Sequence, residues 1–395
     1  MQMSLRVCLN IVESFLQVIR VIFSNDKYDI IFYYPQHFNR GRLGDNPYLE
    51  KFITTCKKKG VKYLLVEEPD YDTDAPKGKG VFGFAFILFL ILFMRKVIKV
   101  SQSFEAREQQ IGRVINFLTF SRLQSPLYVT LSNSLGGVLR GISPEAEIYD
   151  YQHGIVSSTQ PGYFCAEGAT SCMKENNKKV LVYGRGFEDI FLANDPYYKE
   201  RLVTLGDSYA GNCPLVFGGK MILISPQMTV SMSKERNYEQ IRLLVRWLSL
   251  SADFINKYGI KVLLNHHPRF NHCVDASELY EFPFLENVTG HFDLATDRHK
   301  IALQVTFYST TAFDCARFGI PSVFLTSDKL PEGNEIFGQD YKYPYIANTD
   351  LETWEFLWSD SPSNAVADEI RHWYGRFYQP FNEALFLEIL SKHKN

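Results

Sequence analysis

Along most of this chain, short apolar runs of strand length alternate with longer stretches of helical period. "YDIIFYYP" (28–35) is apolar or aromatic after Asp29 and stops at proline, as a strand buried on both faces does. A polar loop, a helical stretch ending in "CKKKG" (56–60) and a second run, "VKYLLVEEP" (61–69), follow. Strand, helix and strand in that rhythm make a βαβ unit and imply a parallel sheet. The rhythm continues with a helix near 111–123, a strand at "LYVTLSN" (127–133) and a helix opened by "SLGGVLRGI" (134–142). Further strands are expected in "EIYDYQHG" (147–154) and "KVLVYGRG" (179–186).

The same pattern restarts after "GDSYAGNCP" (206–214), whose turn-forming residues mark a domain boundary. "GKMILISPQ" (219–227) is a strand running into a loop, 238–258 is a long helix, and "IKVLLNHHPRF" (260–270) is a strand ending in a polar tip. The segment 302–325 reads strand, helix, Gly-Ile-Pro turn and strand. The expected fold class is α/β, with two Rossmann-like domains over 1–210 and 211–377. A C-terminal helix in 378–395 packs back on the first domain. Parallel sheets gather ligands at their strand carboxyl ends, so domains that face one another would share a cleft there.

One segment departs from the rhythm. "GVFGFAFILFLILFM" (80–94) carries no charge and five phenylalanines, and "RKVIK" (95–99) follows it. It is shorter than the roughly 20 residues needed to span a bilayer. It is apolar on every side, unlike an ordinary amphipathic surface helix. Two readings stand: a helix buried between other elements, or a membrane-associating segment over 80–99 with Lys77, Lys79, Arg95, Lys96 and Lys99 facing anionic headgroups.

Composition narrows the function classes. Hydrophobic residues make up 46% and charged residues 22%, a globular balance. A formal charge of −2 argues against nucleic-acid binding through a broad basic face, so an anionic ligand has to be gripped locally. The 7 cysteines are scattered with no C-x-x-C pair, which suits reduced thiols in a cytoplasmic compartment. Glu13 and Arg20 break the apolar N-terminus, so it does not read as a secretory signal.

Candidate chemistry sits at the strand ends. In "YSTTAFDCARFGIP" (308–321), Ser309, Thr310 and Thr311 fall between a strand and a helix, where hydroxyls and free N–H groups suit a phosphate. Thr311 with Asp314 also has capping-box spacing, and a cap leaves the neighbouring hydroxyls available. "NHHPRF" supplies His266, His267 and Arg269, the last able to bind a phosphate in bidentate fashion. "ISPQ" places Ser225 and Gln227 on the first loop of the second half. Asp72, Thr73 and Asp74 form a D-x-D, a short match in an acidic, Pro-flanked loop that is set aside as a metal site. Gly136 and Gly137 lack dinucleotide-fingerprint spacing and are assigned to close helix packing. "YDYQHG" delivers His153 to a strand tip. A neutral imidazole there suits a general base.

Taken together, "HHPRF", "YSTTAFDCARFGIP" and "YDYQHG" resemble motifs of the GT-B glycosyltransferase superfold, nearest to bacterial capsule, O-antigen and teichoic-acid enzymes. Sialyltransferases, Kdo transferases and CDP-glycerol transferases are among these. The resemblance implies that His267 and Pro268, with Ser309 and Thr310, hold a donor nucleotide and its phosphate. Ser225, Gln227, Arg269 and Thr311 join them, and no metal or other cofactor is expected. His153 would be the catalytic base, with Gln152, Gly154 and Tyr163 on the acceptor side. The implied activity is transfer of a sugar from a nucleotide-activated donor, of CMP or CDP type, to a lipid-linked or oligosaccharide acceptor. Its place would be the inner face of the plasma membrane. A polyol-phosphate transferase, a nucleotide-sugar 2-epimerase and a non-catalytic nucleotide-sugar-binding subunit stay open as alternatives.

Overall fold

The computed structural model describes residues 5–24, 26–40, 44–71, 75–99, 103–132, 134–208, 210–211, 219–230, 232–267, 270–288, 294–345, 355, 357–358 and 364–393. Contacts divide the chain into one unit of Met1–Ala210 with Tyr378–Asn395 and a second of Gly211–Phe377.

The first unit holds β1 (Ile30–Pro35), β2 (Tyr63–Glu68), β3 (Phe82–Gly83), β4 (Leu127–Thr130), β5 (Glu147–Tyr151), a small hairpin of β6 (Phe164–Cys165) and β7 (Gly168–Ala169), then β8 (Lys179–Val182) and β9 (Leu202–Thr204). All but the hairpin join one 7-stranded sheet in the order β3-β2-β1-β4-β5-β8-β9, with every pairing parallel. β1 and β4 are buried along nearly their whole length, which is why they read as unbroken apolar runs. The helices are α1 (Leu5–Phe23), α2 (Glu50–Lys59), α3 (Ala85–Val97), α4 (Phe104–Leu118), α5 (Gly136–Ile142), α6 (Ser171–Glu175) and α7 (Arg185–Asn194). α4 and α5 pack closely: a Cβ on Gly137 would stand 2.6 Å from that of Glu108.

The second unit is a 5-stranded parallel sheet of β10 (Met221–Ser225), β11 (Lys261–Leu264), β12 (Leu285–Asn287), β13 (Ile301–Thr306) and β14 (Ser322–Phe324), ordered β12-β11-β10-β13-β14. Its helices are α8 (Lys234–Tyr258), α9 (Leu294–Asp297), α10 (Thr311–Ala316) and α11 (Asn364–Phe377). α8 starts four residues before the expected 238, because Ser233 caps it by accepting from the Arg236 backbone N–H at 3.3 Å.

The chain then returns to the first unit, ending in α12 (Glu383–Ser391). Asp207 N–H donates to the Gln379 carbonyl at 2.7 Å and Asn382 N–H to that of Leu205 at 2.8 Å. Gly206 lies at φ +92, and a Cβ there would stand 2.2 Å from the Pro380 carbonyl oxygen, so only glycine admits this approach. The Phe52 ring sits 4.9 Å from each of Tyr151, Phe381 and Phe386, which ties the C-terminal segment into the core of this unit.

The apolar 80–94 stretch forms β3 and most of α3. Ile87 and Ile91 are buried in the core, whereas Phe89, Leu92, Phe93 and Val97 are exposed. Among the described residues, no helix is long and apolar enough to cross a membrane.

Candidate functional site

In each unit the strand order reverses at one place, between β1 and β4 and between β10 and β13. Loops leaving adjacent strands diverge at such a switch point and open a crevice at the carboxyl ends. His153 lies just past the end of β5, and Gln227, His267 and Ser309 lie past the ends of β10, β11 and β13.

In the first unit, β1 runs into a single 3-10 turn, Gln36–Phe38. Gln36 fixes the turn by donating to the Ala75 carbonyl at 2.8 Å and accepting from Asp70 N–H at 3.2 Å. The Phe38 ring lies 5.0 Å from that of His153, edge to face. His153 leaves the end of β5 half-buried, and its Nδ1 is enclosed with no hydrogen-bond partner among the described residues. A Cβ on Gly154 would meet no atom within 4 Å, so the backbone beside His153 is open to approach.

Two of the acceptor-side candidates are buried. Gln152 is fully buried: its Nε2 donates to the Gly154 carbonyl at 2.7 Å and its Oε1 accepts from Tyr183 N–H at 3.0 Å. Its amide holds the His153 loop. Tyr163 is buried against Phe191, with ring centroids 5.0 Å apart, and donates to Asp150 Oδ2 at 2.5 Å. Burial and then the Asp150 carboxylate push its phenol well above the usual range, as befits a core tyrosine.

In the second unit a cavity of about 410 Å³ opens at the strand ends. Gln227 and Thr229 line it from the loop after β10, His267 from the loop after β11, and Tyr308 from the loop after β13. Glu332 reaches it from the chain beyond β14, and Ser233 and Arg236 from the first turn of α8. The β10 loop is pinned from below by α8. The Gln240 Oε1 accepts from Gln227 N–H at 2.9 Å and Asn237 Nδ2 donates to the Thr229 carbonyl at 3.2 Å, both side chains being fully buried. The Gln227 Oε1 is enclosed without a hydrogen-bond partner among the described residues. Arg236 pairs with Glu332 across the cavity. Burial raises the pKa of the Tyr308 phenol, and the Arg236 cation opposes that shift.

The cavity thus combines the positive end of a 25-residue helix, a guanidinium, a carboxylate and a buried amide oxygen. That set can grip an anion and hydrogen-bond neighbouring hydroxyls. Other predicted residues fall differently. Ser225 is the last residue of β10 and is buried in the sheet, with its carbonyl taken by the Thr306 hydroxyl at 2.7 Å. Ser309 and Thr310 follow Tyr308 on the turn into α10. The Thr311–Asp314 capping box is not formed, since Thr311 is already the first helical residue. Instead Ser309 Oγ accepts from the Thr311 N–H at 3.3 Å and from its hydroxyl at 2.9 Å, and Gln304 donates to that same hydroxyl at 2.6 Å. Thr311 is therefore spent on the turn, while Thr310 is exposed. Pro268, Arg269 and the Asp72–Asp74 segment lie outside the described residues.

Sequence reasoning missed Arg236 and Glu332, which stand apart from any motif, and passed over Tyr308, which opens the 308–321 motif. Only the β10–α8 order gave a signal for Arg236, since it places a helix start beside the strand end. It also missed His37, whose Nδ1 meets Asp70 Oδ2 at 2.8 Å at the end of β1.

Neither a protein-family model nor a curated protein matches the sequence. Solved structures do. The UDP-GlcNAc 2-epimerase from Methanocaldococcus jannaschii superposes with a TM-score of 0.55 at 9% identity, over 92% of this chain and 99% of its own. The UDP-GlcNAc 2-epimerase from Neisseria meningitidis, solved with UDP-GlcNAc bound, gives 0.52 at 7% identity over 92% and 99%. The wall teichoic acid polymerase TagF gives 0.50 at 14% identity over 98% and 96%. At these identities the likeness is one of fold: two Rossmann-like units of the GT-B type, a fold that hosts several chemistries.

Proposed function

We propose that the chain is a glycosyltransferase that holds a nucleotide-activated sugar in the second-unit cavity and activates its acceptor with His153. The observation that carries this reading is the cavity itself. A pyrophosphate or phosphate suits the α8 N-terminus and Arg236, and a ribose suits the Glu332 carboxylate and the Gln227 amide. Tyr308 offers a ring face to the base, and the exposed Thr310 on the turn that follows it offers a hydroxyl to the phosphate nearest the sugar. The bond between the sugar carbon and the phosphate oxygen breaks as the acceptor oxygen attacks. The acceptor proton passes to His153, and the negative charge left on the nucleotide is met by the helix terminus and Arg236. This grip needs no metal ion. A CMP- or CDP-linked donor and a lipid-linked or oligosaccharide acceptor of surface-glycan synthesis complete the proposal.

Thermal melting of the purified chain with CMP, CDP, UDP, GDP and their sugar conjugates, in EDTA, tests it. A rise with one nucleotide that Arg236→Ala abolishes is the expected result, because selective binding stabilises the native state. No rise with any nucleotide overturns the reading. Product analysis with the bound donor then separates transfer from the rival chemistries. A 2-epimerase would return an isomerised nucleotide-sugar without an acceptor, and a polyol-phosphate transferase would move the phosphate with its polyol.

A further inference from the structure

α1 and α3 lie side by side, with the rings of Phe15 and Phe86 5.0 Å apart and Ser14 Oγ accepting from Phe86 N–H at 3.0 Å. Both turn an inner face into one core cluster, Val18 from α1 with Ile87 and Ile91 from α3. The opposite faces are also apolar. Leu5, Leu9, Val12 and Leu16 recur at helical spacing on the outer side of α1, with Leu5 76% and Leu9 60% exposed. Phe89, Leu92, Phe93 and Val97 do the same on α3, Phe93 being 56% exposed. A surface helix normally presents polar residues there, so a contiguous apolar face of this kind marks an interaction site.

Charge identifies the occupant. Arg6 and Arg20 on α1, Lys79 ahead of α3, and Lys96 and Lys99 at its end are all exposed. The sole acid on either helix is Glu13, which Lys77 binds at 2.7 Å. Two copies of this face packed about a two-fold axis would set these cations against one another. An anionic lipid headgroup layer would neutralise them while the aliphatic and aromatic side chains enter the acyl boundary.

We infer that α1 and α3 together form a docking face for an anionic lipid bilayer, on which the protein lies without spanning it. The inference does not depend on the transferase reading, because its test measures binding and not turnover. The full chain is floated with vesicles of phosphatidylcholine alone and of phosphatidylcholine mixed with phosphatidylglycerol. It is expected to float with the anionic vesicles, and less so at high salt. Lys96→Glu with Lys99→Glu should lower partitioning by about fivefold or more per cation. Leu9→Ser with Leu16→Ser should lower it too with only a small change in melting temperature, since Leu9 is 60% and Leu16 50% exposed. Failure to float with either vesicle overturns the inference, as does flotation that neither pair of substitutions weakens. A vesicle-free dimer that Leu9→Ser with Leu16→Ser dissociates would give the face to a second copy instead.

Discussion

His153 and His266 are both imidazoles just past the ends of parallel strands, yet their surroundings set them apart. His266 is held by the Tyr280 hydroxyl at 3.1 Å and lies against the Phe270 ring, with centroids 4.1 Å apart. Burial and then nearby His272 lower its pKa, so it stays neutral in the folded chain where the unfolded chain would take up a proton. The unfolded state therefore binds more protons below the ordinary imidazole range, and stability is lost as pH falls through that window. Melting between about pH 7 and about pH 5 should drop more for the wild type than for His266→Asn. His153, with an enclosed Nδ1 and an open backbone beside it, is the better placed for chemistry. His153→Ala should cost about 10²- to 10⁴-fold in turnover and leave nucleotide-induced stabilisation intact. Unchanged turnover would remove His153 from the mechanism. Its neighbour Gln152 shows why one residue's role is hard to read from sequence. The same amide that suits a sugar also suits two backbone groups, and only the loop geometry selects between them.

At the scale of elements, the cavity depends on how closely the loop after β13 meets the chain beyond β14. A Cβ on Gly333 would stand 2.5 Å from the Phe307 carbonyl oxygen and 2.7 Å from Thr326 Cγ2. Phe307 precedes Tyr308, and Gly333 follows Glu332, so this contact sets the spacing of two lining residues. Gly333→Ala forces those loops apart at a cost of about 1–3 kcal/mol, the usual range for overpacking. It should weaken nucleotide-induced stabilisation more than it lowers the unliganded melting temperature. An equal loss in both would mean that the loop spacing does not shape the cavity. The strand–turn–helix order was legible here because apolar period and turn residues are local signals. The exchange of a Thr311 capping box for a Ser309-centred turn was not, since either hydroxyl satisfies the pattern.

For the whole molecule, the final segment belongs with the first unit although it follows the second in sequence. Phe386 is buried in that unit's core and contacts Phe52 and Phe381. Phe386→Ala should destabilise the unit by about 3–5 kcal/mol, read as a lower denaturant midpoint. No change would show that the segment only rests on the surface. The α/β class, the parallel sheets and most strand positions were determined by the sequence alone, because a strand buried on both faces must be apolar throughout. His153 and Gln227 were placed at strand ends by the same reasoning. Tertiary structure alone decided that Arg236 and Glu332 meet at one cavity, and that Tyr163 and Ser225 are buried. It also gave the apolar 80–94 stretch one buried and one exposed face, and set α1 beside it. These outcomes depend on contacts between segments far apart in the chain, and such contacts leave no periodic trace in the residues that make them.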